Sequence, residues 1–191
     1  MLEGLTRHLP TPAQLAPWRV RLGYAVALLY AVLAAPTVAS LVWGAIVAAM
    51  GLVIRGAAAG YLRKNEKLTI AGPYAYTRNP LYFGSALLAL GLLLAGASWL
   101  AGLVVIAYVA AFYPAVMRFE ADHLRALHGK AYDDYAAQVP LFFLRLTPAP
   151  ALRDDTPFSW VLYKANREVQ AAIGAAVAIV LLAAKMWFWG N

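Results

Sequence analysis

Five stretches of this chain are almost free of charge. Leu22–Ala35, Thr37–Ile54, Leu81–Ala95 and Trp99–Met117 hold no Asp, Glu, Lys or Arg, and Ala171–Trp189 holds only Lys185. Crossing the hydrocarbon of a bilayer takes roughly 17–25 mostly apolar residues in a helix. With their flanking residues, the five stretches therefore read as five transmembrane helices. The turns at Pro36 and at Gly96-Ala97-Ser98 are too tight to hold anything but a hairpin connection. The expected fold is an all-α polytopic membrane bundle, a single integral membrane domain over residues 1–191.

The position of the cations gives this layout a direction. Arg7, Arg19 and Arg21 precede the first span. Arg55, Arg63, Lys64, Lys67 and Arg78 lie between spans two and three, and Arg118, Arg125, Lys130, Arg145, Arg153, Lys164 and Arg167 between spans four and five. All of these fall on one side, which the positive-inside rule makes cytoplasmic. The N-terminus is then cytoplasmic and the C-terminus outside. Lys185 is the exception, expected to snorkel among Trp187, Phe188 and Trp189 at the outer interface. Met1–Ala16 lacks the pattern of a cleaved signal, so the first span is expected to be retained.

Composition agrees. At 63% hydrophobic and 13% charged residues, the chain departs from the soluble globular average of about half apolar and a quarter charged. A net charge of +7 need not imply nucleic acid when cations flank membrane spans. With no Cys, thiol nucleophiles, thiolate metal sites and palmitoylation are excluded. His8, His123 and His128 do not make a metal-ligand pattern, because an i, i+5 pair shares a helix face poorly. Neither nucleic acid nor metal is an expected partner; the lipid bilayer is.

The polar residues concentrate in two segments, Arg55–Asn79 and Arg118–Arg167, so any chemistry belongs at the membrane face. In Gly72–Gly84, Gly72-Pro73 sets a turn, and Asn79-Pro80 reads as a cap followed by proline in the first turn of span three. Free amides at that helix start, with Arg78 beside them, favour an anion. Tyr74, Tyr76 and Tyr82 offer flat surfaces for a purine or a cation. In Arg118–Tyr135, residues Glu120, His123, Leu124 and Leu127 follow helical spacing. That spacing predicts a shared packed face with Glu120 against protein, where a carboxylate needs a cationic partner. Asn166-Arg167-Glu168 reads as the capped start of span five, with Arg167 left over for an anion. Arg55, at the inner end of span two, either snorkels or meets substrate. The spacing of Gly56 and Gly60 allows close helix packing.

The two clusters resemble the isoprenylcysteine carboxyl methyltransferase family, in its wider grouping with phospholipid methyltransferases. Members carry GPY and RHPxYxG, then EExxL, FGxxYxxY and VP after the next hairpin. Here the first element reads Gly72-Pro73-Tyr74 and Arg78-Asn79-Pro80-Leu81-Tyr82-Phe83-Gly84. The second reads Glu120-Ala121, Leu124, His128-Gly129, Tyr132, Tyr135 and Val139-Pro140. Asn79 stands where the family has His, Ala121 where it has a second acid, and His128 where Phe is common. The resemblance covers about residues 51–145.

What the resemblance implies is methyl transfer from S-adenosylmethionine, leaving S-adenosylhomocysteine, to a lipophilic acceptor at the inner face of a bacterial cell membrane. The donor site would be built from 72–84 and 118–145. Tyr74, Arg78, Asn79, Pro80, Tyr82, Gly84, Glu120, His123 and Leu124 are the expected donor-binding residues, and Glu120, Arg167, Glu168 and Arg55 the expected catalytic ones. A carboxylate acceptor, as in isoprenylcysteine O-methylation, would need an anchoring cation, Arg55 or Arg167. A lipid amine would instead need a base such as Glu168. A membrane reductase and a non-enzymatic interaction protein are the remaining readings.

Overall fold

A computed structural model describes residues 12–64, 66–149, 154 and 156–189, with side chains from Arg21 onward. Arg7, His8 and Arg153 lie outside the described residues, as does the side chain of Arg19. The regular secondary structure of the described residues is all helical, with no strand. Seven α-helices run α1 Pro12–Leu33, α2 Val38–Ala59, α3 Pro80–Gly96, α4 Trp99–His128, α5 Lys130–Gln138, α6 Trp160–Ala165 and α7 Glu168–Trp189, with a 3-10 turn at Gly72–Ala75. Three of them (α2, α4 and α7) are long and apolar enough to cross a membrane, whereas Arg21–Leu33 and Pro80–Gly96 are apolar but shorter.

The five expected spans correspond to α1, α2, α3, α4 and α7, with shifted ends. Helix α2 runs five residues past Ile54 and so takes in Arg55. Helix α4 continues without a break to His128, far beyond Met117.

Helices α2 and α3 lie almost backbone to backbone. A Cβ on Gly91 would stand 2.3 Å from the Ala48 nitrogen and 2.6 Å from the Gly44 oxygen, and one on Gly51 would stand 2.5 Å from the Leu88 nitrogen. The two pairs Gly44/Gly51 and Gly84/Gly91 each repeat at seven residues, which keeps a seam on one side of a helix. The expectation placed the small-residue contact at Gly56 and Gly60 instead. Those two face the rings of Tyr163 on α6 and of Phe158 just before it, not a helix backbone.

The hairpin turns gather at one end of the bundle. Ala35 N–H donates to the Gly96 carbonyl at 2.7 Å, and the Ser40 hydroxyl to the Ala95 carbonyl at 3.0 Å. Lys185 joins them, and not as a snorkelling residue. Its ammonium donates to the carbonyls of Ala31, Val32 and Ala34 at 2.8, 2.7 and 2.7 Å. These are carbonyls that the end of α1 leaves without intrahelical partners, and an apolar surrounding makes such groups costly to leave bare.

The opposite end carries the polar segments. There the Asn166 amide donates to the carbonyls of Ala59 and Leu62 at 2.9 and 3.0 Å. Asn166 was expected to cap the last span; it closes the C-terminus of α2.

Candidate functional site

The 3-10 turn begins with Gly72 at φ +58, where a Cβ would meet the Tyr61 ring at 2.6 Å. Only glycine fits both conditions. From this turn the chain runs beside residues 140–149: Arg78 N–H donates to the Pro140 carbonyl at 2.9 Å, Arg145 N–H to Tyr76 at 2.9 Å and Ala149 N–H to Ala75 at 3.1 Å. Thr77, fully buried, donates its hydroxyl to the Phe142 carbonyl at 3.0 Å. Asn79 holds the N-cap position of α3 but makes no side-chain cap. Its amide donates instead to the Leu141 carbonyl at 2.9 Å. The local geometry therefore serves the junction between the two motif stretches rather than the helix start alone.

Side chains complete the junction. The Tyr82 hydroxyl donates to Glu120 Oε1 at 2.9 Å, linking the start of α3 to the extension of α4. Arg78 Nη1 donates to the Tyr132 hydroxyl at 3.0 Å, with the guanidinium 5.8 Å from the centre of that ring. The Tyr135 hydroxyl donates to the Tyr74 carbonyl at 2.8 Å. Tyr132 and Tyr135, i and i+3 on α5, form a buried core with Val139 and Ala149, against which Ala121 and Leu124 pack.

Sequence reasoning placed the packed face of α4 one residue off. Met117, Ala121, Leu124 and His128 point inward, while Glu120, His123 and Leu127 are exposed. Glu120 is thus not held against protein; it stands at the rim, bonded to Tyr82.

Burial pushes the Tyr74 phenol far above its ordinary range, and Tyr135, Glu120 and Glu168 add to the effect. Burial likewise raises Tyr135, with Arg78 opposing it. Both phenols stay neutral at any physiological pH. Because Glu120 and Glu168 both act on Tyr74, they belong to one electrostatic neighbourhood.

Arg55 and Glu168 meet within it. Arg55 Nε donates to Oε2 at 2.9 Å and Nη2 to Oε1 at 2.8 Å, a two-point pair of the geometry arginine forms best. Arg55 Nη1 also bonds the Ser85 hydroxyl and the Leu81 carbonyl. Both residues were expected to face substrate, and the structure pairs them with each other. Gly84 lies in the α2–α3 seam, where a Cβ would stand 2.7 Å from Arg55 Cγ. Arg167 is exposed, at the left-handed φ of +57. Ser85, Thr77, Tyr132 and Tyr135 were not among the expected site residues. The Tyr132/Tyr135 spacing was the signal for the last two, and Ser85 and Thr77 left none.

The residues fit a donor bearing both charges. Among the described residues, Arg78 Nε is the one buried side-chain polar atom without a hydrogen-bond partner. A buried guanidinium N–H lacking an acceptor suits a carboxylate. Glu120, exposed at the rim with Oε1 bonded to Tyr82, suits a cationic group. Among the described residues no group of three or more His, Cys, Asp or Glu side chains comes together.

A family model described as phospholipid methyltransferase matches residues 29–131, just over half of the 191 residues. The chain belongs to the phospholipid methyltransferase family. The family is described as one of phospholipid methyltransferases, and three of this chain's described helices are long and apolar enough to cross a membrane. Two curated proteins are similar to it. The nickel-cobalt-cadmium resistance protein NccN of Alcaligenes xylosoxydans xylosoxydans is 40% identical over 86 residues. The cobalt-zinc-cadmium resistance protein CzcN of Cupriavidus metallidurans is 39% identical over 85 residues. Each alignment takes in 44% of this chain and 39% of the relative, so the chain spans well under half the length of the curated relatives it matches. No solved structure matches this family member.

Proposed function

We propose that this chain is an S-adenosylmethionine-dependent methyltransferase whose donor site lies between residues 72–84 and 118–145, and whose acceptor is a lipophilic molecule drawn from the bilayer. The observation that carries this reading is the Tyr82–Glu120 hydrogen bond, which puts a carboxylate of one motif stretch beside the helix start of the other.

When bound, the donor supplies an electrophilic methyl group on a sulfonium. Arg78 Nε and the first-turn amides of α3 hold its carboxylate, since both are donors in need of an acceptor. Glu120 balances its positive charge, and Tyr82 orients Glu120 while offering a ring face. Asn79 and Pro80 fix the entry of α3; Leu124 sets the packing of α4 behind the site, and His123 borders it. The two motif stretches shield the site from water, so the chain mainly has to align the reactants.

The acceptor is proposed to be a carboxylate, as in isoprenylcysteine O-methylation. Arg55 is already neutralised by Glu168, so the anchoring cation is Arg167, exposed at the start of α7. A carboxylate needs no base, which suits a site whose best-buried acid is engaged. The second reading is methylation of a lipid amine, favoured by the description of the matching family model.

The frame of the proposal is five spans in a bacterial inner membrane, with the N-terminus and the site cytoplasmic and the C-terminus outside. The cation distribution supports it.

Membranes containing the protein, incubated with methyl-labelled donor, test the whole reading. Label in a lipid fraction, released by mild base, is expected for a methyl ester. Base-stable label would transfer the assignment to an amine, and no labelled lipid at all would remove the proposal.

A further inference from the structure

The segment after α5 is built inside out for a loop in water. Phe143 is 76% exposed, Leu144 42% and Leu146 100%, while Arg145, the charged residue among them, turns back into the protein. Arg145 Nη1 donates to the Gln138 carbonyl at 2.6 Å and Nε to the Thr147 carbonyl at 3.2 Å. A polar loop would show the guanidinium and hide the leucine. Here the backbone of the loop is also pinned, by Thr77 to Phe142 and by Arg145 N–H to Tyr76, so its apolar side chains are held outward.

Its position sets what it meets. Leu144 lines an apolar cleft of about 280 Å³ together with Val53, Ile54 and Ala57 of α2. These residues lie two to six places before the end of α2 at Ala59, so by a rise of about 1.5 Å per residue the loop sits within about 9 Å of the polar end of that helix. That is the depth at which interfacial elements rest, about 5–10 Å into the boundary between headgroups and acyl chains. The cleft is continuous with the side of α2 turned away from α3, where Val42, Ile46, Met50 and Val53 recur at helical spacing and are all exposed. In a membrane protein that stripe faces lipid. On the neighbouring side of α2, next to Gly56 and Gly60, α6 presents Trp160 at 68% and Val161 at 76% exposure, a tryptophan where interfaces favour one.

We infer that loop 141–146 is a membrane-inserted element: Phe143 and Leu146 enter the acyl-chain boundary of the leaflet at the polar end of the bundle, beside the lipid-facing side of α2. The occupant of this surface is bilayer hydrocarbon. A loop fixed in this way sets the depth of residues 72–80, which it is hydrogen-bonded to, without depending on what those residues bind.

The chain contains no cysteine, so single thiols introduced at exposed positions can be spin-labelled uniquely. Phe143→Cys and Leu146→Cys, with Val42→Cys on the lipid-facing stripe and Lys130→Cys on α5 as references, are reconstituted in phosphatidylglycerol/phosphatidylcholine nanodiscs. Collision rates with oxygen, which partitions into lipid, and with a water-soluble nickel chelate are then measured. The ratio of oxygen to nickel collisions at 143 and 146 is expected to exceed that at 130 severalfold and to approach that at 42. Ratios matching position 130 would overturn the inference, leaving the loop in water. Dipolar broadening at 143 or 146 that vanishes on dilution with unlabelled protein would overturn it too, because the cover would then be a second copy.

Discussion

Arg55 of α2 and Glu168 of α7 form a two-point ion pair with side chains 21% and 7% exposed. It joins two helices that are distant in sequence, and through Ser85 and the Leu81 carbonyl it reaches α3 as well. The pair therefore fixes three helices at the end of the bundle where the candidate site lies. Glu168 also begins α7, where a carboxylate complements the positive end of the helix dipole.

Removing one partner leaves the other charge buried. Glu168→Gln is expected to destabilise the protein by about 3–5 kcal/mol. The pair Arg55→Met and Glu168→Leu together should recover most of that loss, because no buried charge remains. Thermal unfolding in detergent measures both. If the double variant melts as low as the single, desolvation is not what sets the cost.

Glu120 is bonded to Tyr82 but exposed, so its replacement should leave the fold intact. Glu120→Gln is expected to weaken S-adenosylhomocysteine binding by about tenfold or more, which corresponds to about 1.4 kcal/mol. Tyr82→Phe should produce a smaller loss, since it frees the carboxylate without removing it. Calorimetry on the purified protein reads both affinities, and unchanged binding in Glu120→Gln would take Glu120 out of the donor site.

The seam between α2 and α3 makes a sharp contrast with glycine elsewhere. In Gly91→Ala the new methyl group would meet backbone atoms at 2.3 Å, whereas Gly102 on α4 has nothing within 4 Å. Gly91→Ala is expected to lower the melting temperature or abolish folding, since helix backbones cannot yield as a flexible side chain can. Gly102→Ala should be neutral or stabilising by up to about 1 kcal/mol, the helix-propensity difference. Equal effects of the two would mean the helices do not approach this closely.

Much of the helix layout is legible in the sequence because hydrophobic run length is a first-order consequence of a bilayer. All five expected apolar stretches coincide with helices, the first two overrunning them by one or two residues, and Tyr82 and Glu120, from separate motif stretches, do meet. What failed was finer. Leu124 and Leu127 both look apolar, but only Leu124 packs inward, because the face is set by Tyr132 and Tyr135 on a helix whose angle periodicity cannot supply. Lys185 and Asn166 were assigned to their own helix ends, and each satisfies carbonyls of another helix. Arg55 and Glu168 looked like two separate reactive groups because 113 residues part them. Long-range hydrogen-bond partners are tertiary facts, and residue type alone does not carry them.

Asp154 gives the protein an acid-side dependence. The Thr156 hydrogen bond and then Lys67 hold its carboxyl below the usual carboxylate range, and Lys67 Nζ stands 2.9 Å from Oδ2. A folded value below the unfolded one means the contribution is complete above about pH 3.9, the ordinary Asp value. It is lost as pH falls through the lower, folded value. Asp154→Asn should therefore melt below the parent protein at pH 7, and the gap should close in the acid range beneath pH 4. A gap independent of pH would assign the effect to Thr156 packing alone.

Arg167 separates backbone from charge. A non-glycine residue at φ +57 carries left-handed strain of about 1–2 kcal/mol, and glycine would release it while giving back about 0.4–1 kcal/mol through a freer unfolded chain. Arg167→Gly should thus be as stable as the parent protein or slightly more so, whereas Arg167→Ala keeps the strain and should not gain. Both lose the guanidinium. If that group anchors an anionic acceptor, both should raise the KM for acceptor or lower turnover while S-adenosylhomocysteine affinity stays unchanged. The comparison is informative because stability and activity move in opposite directions in Arg167→Gly, so a loss of activity there cannot come from a weakened fold. Parallel losses of donor affinity and turnover in both variants would place Arg167 in the donor site instead, and unaltered turnover would leave it a surface cation held in a strained turn.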